Sequence, residues 1–463
     1  MKKIYIATVL CGLLFSSCED FLDKTPSTSL PKEEAITSIA DLRNAVNGIG
    51  YSMSTARMTY GADFAIISDL KGSDFVPLSN NNQAGDIGRY SITKNDAIPY
   101  YAYAYYYRAI ARVNSVLEAA AALGLDGDPT FDDYKGQLYA WRAMMHFDLS
   151  RMFCQAPTAA KDVNAENSGI VLSTAVYAPD YVAPRATLKQ TYDQVLSDYN
   201  TALSLLAKKT NSGYFNYWGA LALRSRVHLY NGDNAAALED AKAVIACPDY
   251  SLYTISDYTK VWDKEYTSES LFETKITTAY NPQRNSVGYY CDATGYGECA
   301  FVVGEGTLFE YLTEHPEDVR SKMIKVQTTG ANPGNYPAKY PGRDGLYVNN
   351  PKIIRLSEVY LIAAEAALKT GSEPAATYIN TLRKNRITDY VDVSSVTLDD
   401  ILFERRLELF AENACAWDAW RNKKSIKNAT IGEVTYDDYR TVFPIPQDEI
   451  DIAPDLLIQN PKY

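Results

Sequence analysis

Histidine is the side chain best suited to moving protons near neutral pH, and this chain has three, His146, His228 and His315. His146 and His228 fall inside helical patterns, where a satisfied interior or rim histidine is the ordinary outcome. No serine or cysteine nucleophile motif, H-E-x-x-H pair, phosphate-cradling glycine loop or dinucleotide fingerprint occurs anywhere in the chain. Acidic residues are abundant, so a glycosidase-type carboxylate pair has raw material, but no pattern singles one out. Asp126, Asp128, Asp132 and Asp133 cluster between two helical runs. They lack the spacing and closing glutamate of a calcium loop and read as helix caps. No metal, no cofactor and no catalysis are expected.

Binding is the chemistry left. The 37 tyrosines against 14 phenylalanines are unusual, since tyrosine pairs a flat apolar face with a polar rim and suits wet contact surfaces as well as core edges. Sugar capture needs an aromatic face for the ring and carboxylates or amides for hydroxyls; peptide capture needs backbone donors and acceptors beside small pockets. Two stretches offer such groups in irregular chain. Residues 57 to 96 are rich in Asp, Asn, Gly and Ser, and long loops of this kind are usually functional. Asp69, Asp74, Asn81 and Arg89 are its candidate ligand contacts. Ser286 to Gly306 is the least helical part of the chain and contributes Tyr289, Tyr290 and Tyr296. Of five tryptophans, Trp141 and Trp218 lie in helical runs and Trp417 and Trp420 follow the last long one. Trp262 alone falls in the loop-rich region and is the candidate platform, with core packing as its equal alternative.

The formal charge is −12, and loss of an N-terminal segment carrying Lys2 and Lys3 would make it −14. A chain this acidic, with no basic cluster, repels phosphate backbones, so nucleic acid is excluded as a partner. Lys2 and Lys3 precede an apolar run from Ile4 to Leu14 that is too short to span a bilayer, the pattern of an export signal over residues 1–17. Phe15-Ser16-Ser17-Cys18 then resembles a lipobox, so cleavage is expected to expose Cys18 for lipidation and acyl anchoring. Five other cysteines remain in the mature chain: Cys154, Cys247, Cys291, Cys299 and Cys415. An odd number cannot all pair. Cys291 and Cys299 share one glycine-rich loop and either bridge in an oxidising compartment or stay as two thiols.

The elements that must position these residues are mostly helices. An early helix is expected over Ser38 to Thr55, then pairs at Tyr100–Leu123 and Asp132–Phe153, and at Leu188–Lys209 and Tyr217–Asp233, with a further run to Ala246. Gly219 to Ala222, Leu229 to Asp233 and Ala237-Leu238 resemble a tetratricopeptide repeat, in which small residues sit where helices touch. The predicted fold is mostly α: degenerate tetratricopeptide-like repeats over 36–247, a loop-rich insertion over 248–350 covering one face, and C-terminal helices over 351–463. Within the insertion, Ser270 to Ile276 reads as β, and Pro333 to Pro351 is another aromatic, turn-rich loop.

The C-terminal part is the most specific. Ile353 to Gly371 (IIRLSEVYLIAAEAALKTG) reads as a helix with two apolar faces ended by a glycine cap. Pro374 to Arg386 follows, then Leu398 to Asn413 (LDDILFERRLELFAEN), with Ile401, Leu402, Leu409 and Phe410 inward. Glu404, Arg405, Arg406 and Glu408 fall elsewhere and read as a structural ion-pair network. The chain closes with FPIPQDEIDIAPDLLIQNPKY. The IIRLSEVYLIAAEA helix, the LR-x-x-R turn at Leu382 to Arg386, the ERRLEL run and the closing IPQDEI…QNPKY together resemble the SusD/RagB family. NACAWDAW at Asn413 to Trp420 stands where the family has a glycine and an Arg-Trp-Phe-Asp-Leu stretch, and Lys462-Tyr463 where it tends to end Gly-Tyr. The resemblance implies a non-enzymatic lipoprotein on the outer face of the outer membrane, partnering a SusC-like TonB-dependent transporter as its lid and passing it oligosaccharide. Glu19 and Asp20 resemble the acidic tag that directs such lipoproteins to the surface. It also places residues 57–96 where the family's N-terminal ligand segment falls. Oligopeptide capture, as in RagB-like members, is the alternative ligand class, and a surface hydrolase is the remaining one.

Overall fold

The computed structural model describes residues 36–79, 84–178 and 180–463. Signal residues 1–17, Cys18 and Asn81 lie outside them. Helices dominate, and each begins and ends where local chemistry directs. Ser38 caps α1 (Ile39–Thr55) by accepting from the Asp41 amide. The second helix, α2 (Ala97–Ala121), pairs with α3 (Pro129–Phe153). Asp128 accepts from the Thr130 and Phe131 amides at the start of α3, the capping role expected for that acidic cluster. A reciprocal Thr187/Gln190 capping box opens α4 (Leu188–Leu205). Then come α5 (Tyr217–Asn231), ended by Gly232 at φ 87°, and α6 (Asn234–Ile245). In the C-terminal part, α7 (Leu356–Thr370) ends on Gly371 at φ 64°, the left-handed cap read from the sequence. After it lie α8 (Ala376–Lys384), α9 (Leu398–Leu409) and α10 (Cys415–Arg421).

Packing follows chain order, α1 on α2, α2 on α3, α3 on α4, α4 on α5 and α5 on α6, and α6 then packs against α7 across the insertion. One large apolar core runs through these helices, from Leu42 to Leu457. Among the described residues, no helix is long and apolar enough to cross a membrane.

Four two-stranded antiparallel ribbons lie among the described residues, and two of them matter for the site. One pairs β1 (Phe75–Val76) with β3 (Ala300–Phe301). Another pairs β2 (Ser270–Glu273) with β4 (Lys352–Arg355), the latter directly before α7. The sequence reading carried α7 back to Ile353; the structure places Ile353, Ile354 and Arg355 in β4 instead, because Ile354 pairs across to Phe272 of β2. The same reading extended α9 to Asn413. That helix stops at Leu409, since Ala411 and Asn413 take left-handed conformations at φ 57° and 64°.

What fastens the insertion to the C-terminal helices is charge. Arg320, Arg355 and Arg386 are among the largest fully buried side chains. Arg355 donates to Glu269 at 2.7 Å and Glu408 at 3.0 Å, and pairs with Glu412 at 2.7 Å. Arg386 bonds Glu269 at 2.6 Å and Glu408 at 2.9 Å. Arg320 reaches Asp318 at 2.7 Å and Glu404 at 2.6 Å, Lys339 meets Glu412 at 2.6 Å, and Arg383 meets Glu404 at 2.6 Å. Arg320, Arg355, Arg386, Lys339 and Arg383 thus balance Asp318, Glu269, Glu404, Glu408 and Glu412, which buried charges require. The expected ion-pair network exists, but Glu404, Arg405 and Glu408 point inward with the apolar residues. Burial opposes the Glu408 charge, yet Arg386 and Arg355 outweigh it and hold the carboxyl far below the usual range.

Candidate ligand-binding site

The two irregular stretches singled out in the sequence meet in space. Phe75 lies opposite Phe301 and Val76 opposite Ala300 in the β1–β3 ribbon, with the two phenyl rings 4.8 Å apart. Beyond the ribbon, the Leu78 amide donates to the Gly297 carbonyl at 3.0 Å. The Glu298 carboxylate accepts from the Ala84 and Gly85 amides at 2.6 and 3.1 Å. Residues 75–79 and 84–89 are therefore stitched to residues 287–301 in one surface.

On that surface stands a ridge of half-buried tyrosines. Tyr289 and Tyr296 pack edge to face with centroids 4.8 Å apart, and Tyr347 joins Tyr289 at 5.7 Å. Edge-to-face pairs suit the aromatic quadrupole and fix each ring's direction. The backbone fixes Tyr296 as well: its amide donates to the Tyr289 carbonyl at 2.9 Å, and Asn332 Nδ2 donates to its carbonyl at 3.2 Å. Glycine is required on both sides of it. A Cβ at Gly295 would sit 2.0 Å from the Tyr289 carbonyl oxygen, and Gly297 holds φ 63° beside Asn332. The ridge is thus held by backbone contacts beside a short ribbon, the kind of rigid support a binding site needs.

The remaining candidates take other places. Tyr290 is fully buried beneath Tyr296, its ring 5.5 Å away and its hydroxyl 3.5 Å from Asp63, which also pairs with Arg57. It supports the ridge from below. Asp69 is buried; its two carboxylate oxygens accept from the amides of Ala411 and Asn413 at 2.9 and 2.6 Å. Burial pushes the Asp69 carboxyl up to about 8 although both amides pull it down. Asp69 holds the left-handed turn after α9 and faces no open surface. Asp74 is likewise buried, gripped by Arg406 of α9 at 2.8 and 2.9 Å. Arg89 donates to Asp86 at 3.1 Å and the Ser79 carbonyl at 2.6 Å, bracing the first stretch. Trp262 is a correction: it is 8% exposed and forms a wall of the ion network, with Lys339 and Arg355 at 4.9 and 5.2 Å from its ring. A cation over an aromatic face is a stabilising contact inside a protein, so the ring takes the core-packing alternative.

Cys291 and Cys299 are both fully buried and both free thiols, and they neighbour each other. Burial and this neighbour push the Cys299 thiol well upward. Two contributors escaped the sequence reading. Tyr347 lies in the aromatic turn-rich loop of residues 333–351 but had no feature to set it above its neighbours. Arg57 opens the first stretch and stands 5.7 Å from the Tyr101 ring; only the fold brings it under the ridge.

Comparison with known proteins gives the same grouping. A family described as starch-binding and associating with the outer membrane matches residues 20–229, and the SusD family matches residues 207–463. A SusD superfamily protein of Bacteroides thetaiotaomicron is 31% identical, superposes with a TM-score of 0.85, and is covered over 100% of its length by 92% of this chain. SusD-like protein P2 of Formosa agariphila is 26% identical over the full length of both chains. Surface glycan-binding protein A of Bacteroides thetaiotaomicron, solved with laminarihexaose, shares the fold at 19% identity, with a TM-score of 0.74 over 91% of this chain and 99% of that one. With its C-terminal motifs, its helical scaffold and more than half its length matched, this chain belongs to the SusD family.

Proposed function

We propose that this protein is a non-enzymatic lipoprotein of the cell surface that captures oligosaccharide and delivers it to a SusC-like TonB-dependent transporter, over which it sits as a lid. The observation that carries the ligand class is the ridge of Tyr289, Tyr296 and Tyr347, half-exposed rings on a backbone-braced surface. An aromatic face accepts the C–H face of a pyranose and leaves the hydroxyls free for water or nearby amides. The same fold holds laminarihexaose in surface glycan-binding protein A, and the matched N-terminal family carries a starch-binding description. Cys18 supplies the anchor in this reading, and Glu19 and Asp20 the surface address.

Affinity electrophoresis in gels containing laminarin, starch or other polysaccharides tests the ligand class. Retention of the native chain in one of these gels, and its loss in Tyr289→Ala/Tyr296→Ala, is the expected result. Unchanged migration in every gel, with a bound peptide recovered by mass spectrometry from the protein purified from its own membrane, would replace oligosaccharide by oligopeptide. The lid role is tested by that same purification in mild detergent, where a TonB-dependent transporter is expected to copurify.

A further inference from the structure

The tyrosine ridge continues onto α2. Beneath Tyr296, the Tyr290 hydroxyl meets Asp63 at 3.5 Å, and Asp63 pairs with Arg57 at 2.8 Å. The Arg57 guanidinium in turn stands 5.7 Å from the ring of Tyr101 on α2. Tyr101 stacks on Tyr105 at 5.6 Å and 16°, and the Arg108 guanidinium lies 5.5 Å from the Tyr105 ring. Tyr101, Tyr105, Arg108 and Arg112 follow the i, i+4, i+7, i+11 spacing that places residues on one helix face. The two rings are half-buried and the two arginines exposed. From Tyr101 to Arg112 this face runs about 16 Å along the helix, so rings and arginines alternate over a length that suits an oligomer.

The accessible charges beside the rings are positive. Arg284 is exposed in the short turn Gln283–Asn285, directly before the Ser286-capped turn that carries Tyr289. Neither Arg284 nor Arg108 forms an ion pair among the described residues. Burial and Tyr289 push the Tyr296 hydroxyl upward, and Arg284 and Arg57 oppose them, so the Arg284 charge is felt on the ridge. Glu298 also acts there, but it is fully buried and engaged by the Ala84 and Gly85 amides, as Asp63 is buried and engaged by Arg57. A guanidinium over a tyrosine face keeps its N–H edge outward, a planar fork that fits two oxygens of a carboxylate or a sulfate. The ring faces take the C–H side of a pyranose, and the forks take an acidic group on it. A neutral sugar would leave both arginines to water. The formal charge of −12 does not forbid this, since at physiological salt a charge is screened beyond about 8 Å.

We propose that the ligand is an acidic oligosaccharide, a chain of pyranoses bearing carboxylate or sulfate groups, which runs from Tyr289 and Tyr296 onto Tyr101 and Tyr105 while Arg284 and Arg108 read its charge. This rests on the oligosaccharide reading given above and adds to it the charge of the ligand and its path.

The experiment is calorimetric titration of the full mature chain with laminarihexaose, a hexauronate from alginate, a sulfated galactan hexasaccharide and hexaglutamate, at about 0.05 and 0.5 M salt, alongside thermal melts. The expected result is that one of the two acidic sugars binds best, naming carboxylate or sulfate, and that its affinity falls at the higher salt. Arg284→Gln and Arg108→Gln are each expected to weaken it about three- to fivefold, as the loss of an exposed ion pair does. Both are expected to bind laminarihexaose as the native chain does and to melt with it, because both side chains are exposed. Tyr105→Ala is expected to weaken the acidic sugar about threefold or more. Laminarihexaose bound as tightly as the acidic sugars overturns the proposal and leaves the oligosaccharide reading standing. So does native affinity for the acidic sugars in both arginine variants or in Tyr105→Ala. Hexaglutamate bound as tightly as the acidic sugars overturns it too, because charge alone would then be recognised. Absence of binding to every sugar by every protein overturns it together with the reading it rests on.

Discussion

Replacing Glu408 by glutamine tests whether the buried charge network holds the insertion on the helices. Glu408 is fully buried, and its carboxylate receives Arg355 at 3.0 Å, Arg386 at 2.9 and 3.0 Å, and Arg320 at 3.4 Å. The variant keeps the side chain's shape but removes its charge and turns an NH₂ group toward guanidinium donors. Three arginines then share one carboxylate fewer in a site closed to water. Breaking a buried pair from one side costs about 3–5 kcal/mol. With a urea slope of about 3 kcal/mol per molar, the unfolding midpoint falls by roughly 1–1.7 M. The assay is urea unfolding followed by tryptophan fluorescence, with Lys189→Ala as control. That residue pairs with Asp193 on the surface, both side chains 57% exposed, and its loss costs at most about 0.5 kcal/mol. The pH dependence has a definite sign. Because the folded-state pKa of Glu408 is lowered from 4.5, its contribution is fully present above pH 4.5 and is lost as the pH falls toward the folded value. The native protein therefore loses stability below pH 4.5 more steeply than Glu408→Gln. A variant within 1 kcal/mol of native by this assay, with an unchanged acid limb, would refute the claim that this network fastens the two parts.

Gly295→Ala places a methyl group against the Tyr289 carbonyl, where 2.0 Å is available; polysaccharide gels are expected to show lost retention, and melts a lowered midpoint. Trp262→Ala is expected to cost about 3–5 kcal/mol, as for buried tryptophans generally, while the protein still folded at low temperature binds glycan as the native chain does. Binding lost without destabilisation would return Trp262 to the site. Cys291 and Cys299 are buried thiols, so maleimide is expected to modify them only after unfolding and without added reductant. Mass spectrometry of tryptic peptides checks this, and a reductant requirement would show them bridged.

The helical scaffold was legible in the sequence because its signals are local. Ser38, Asp128 and Thr187 cap helices within three residues of themselves, and Gly232 and Gly371 supply left-handed ends that other residues resist. The two loop-rich stretches were visible through composition, and the C-terminal motifs through their order. Tertiary structure decided the rest. Whether Asp69 and Asp74 meet a ligand or a turn and an arginine depends on α9, more than three hundred residues away. Whether Trp262 is a platform or a wall depends on Lys339 and Arg355 arriving over its ring. Ile353 to Arg355 carry a helical period and still form a strand, because β2 offers a partner that periodicity does not record. Arg57, Tyr101 and Tyr105 look like any other loop and helix residues until folding sets Arg57 beside the Tyr101 ring. By itself, the sequence determined the helices, their caps and the family. Which tyrosines face outward and which carboxylates are spent inside was settled by contacts distant in the chain, since burial and pairing belong to the folded assembly and not to any residue alone.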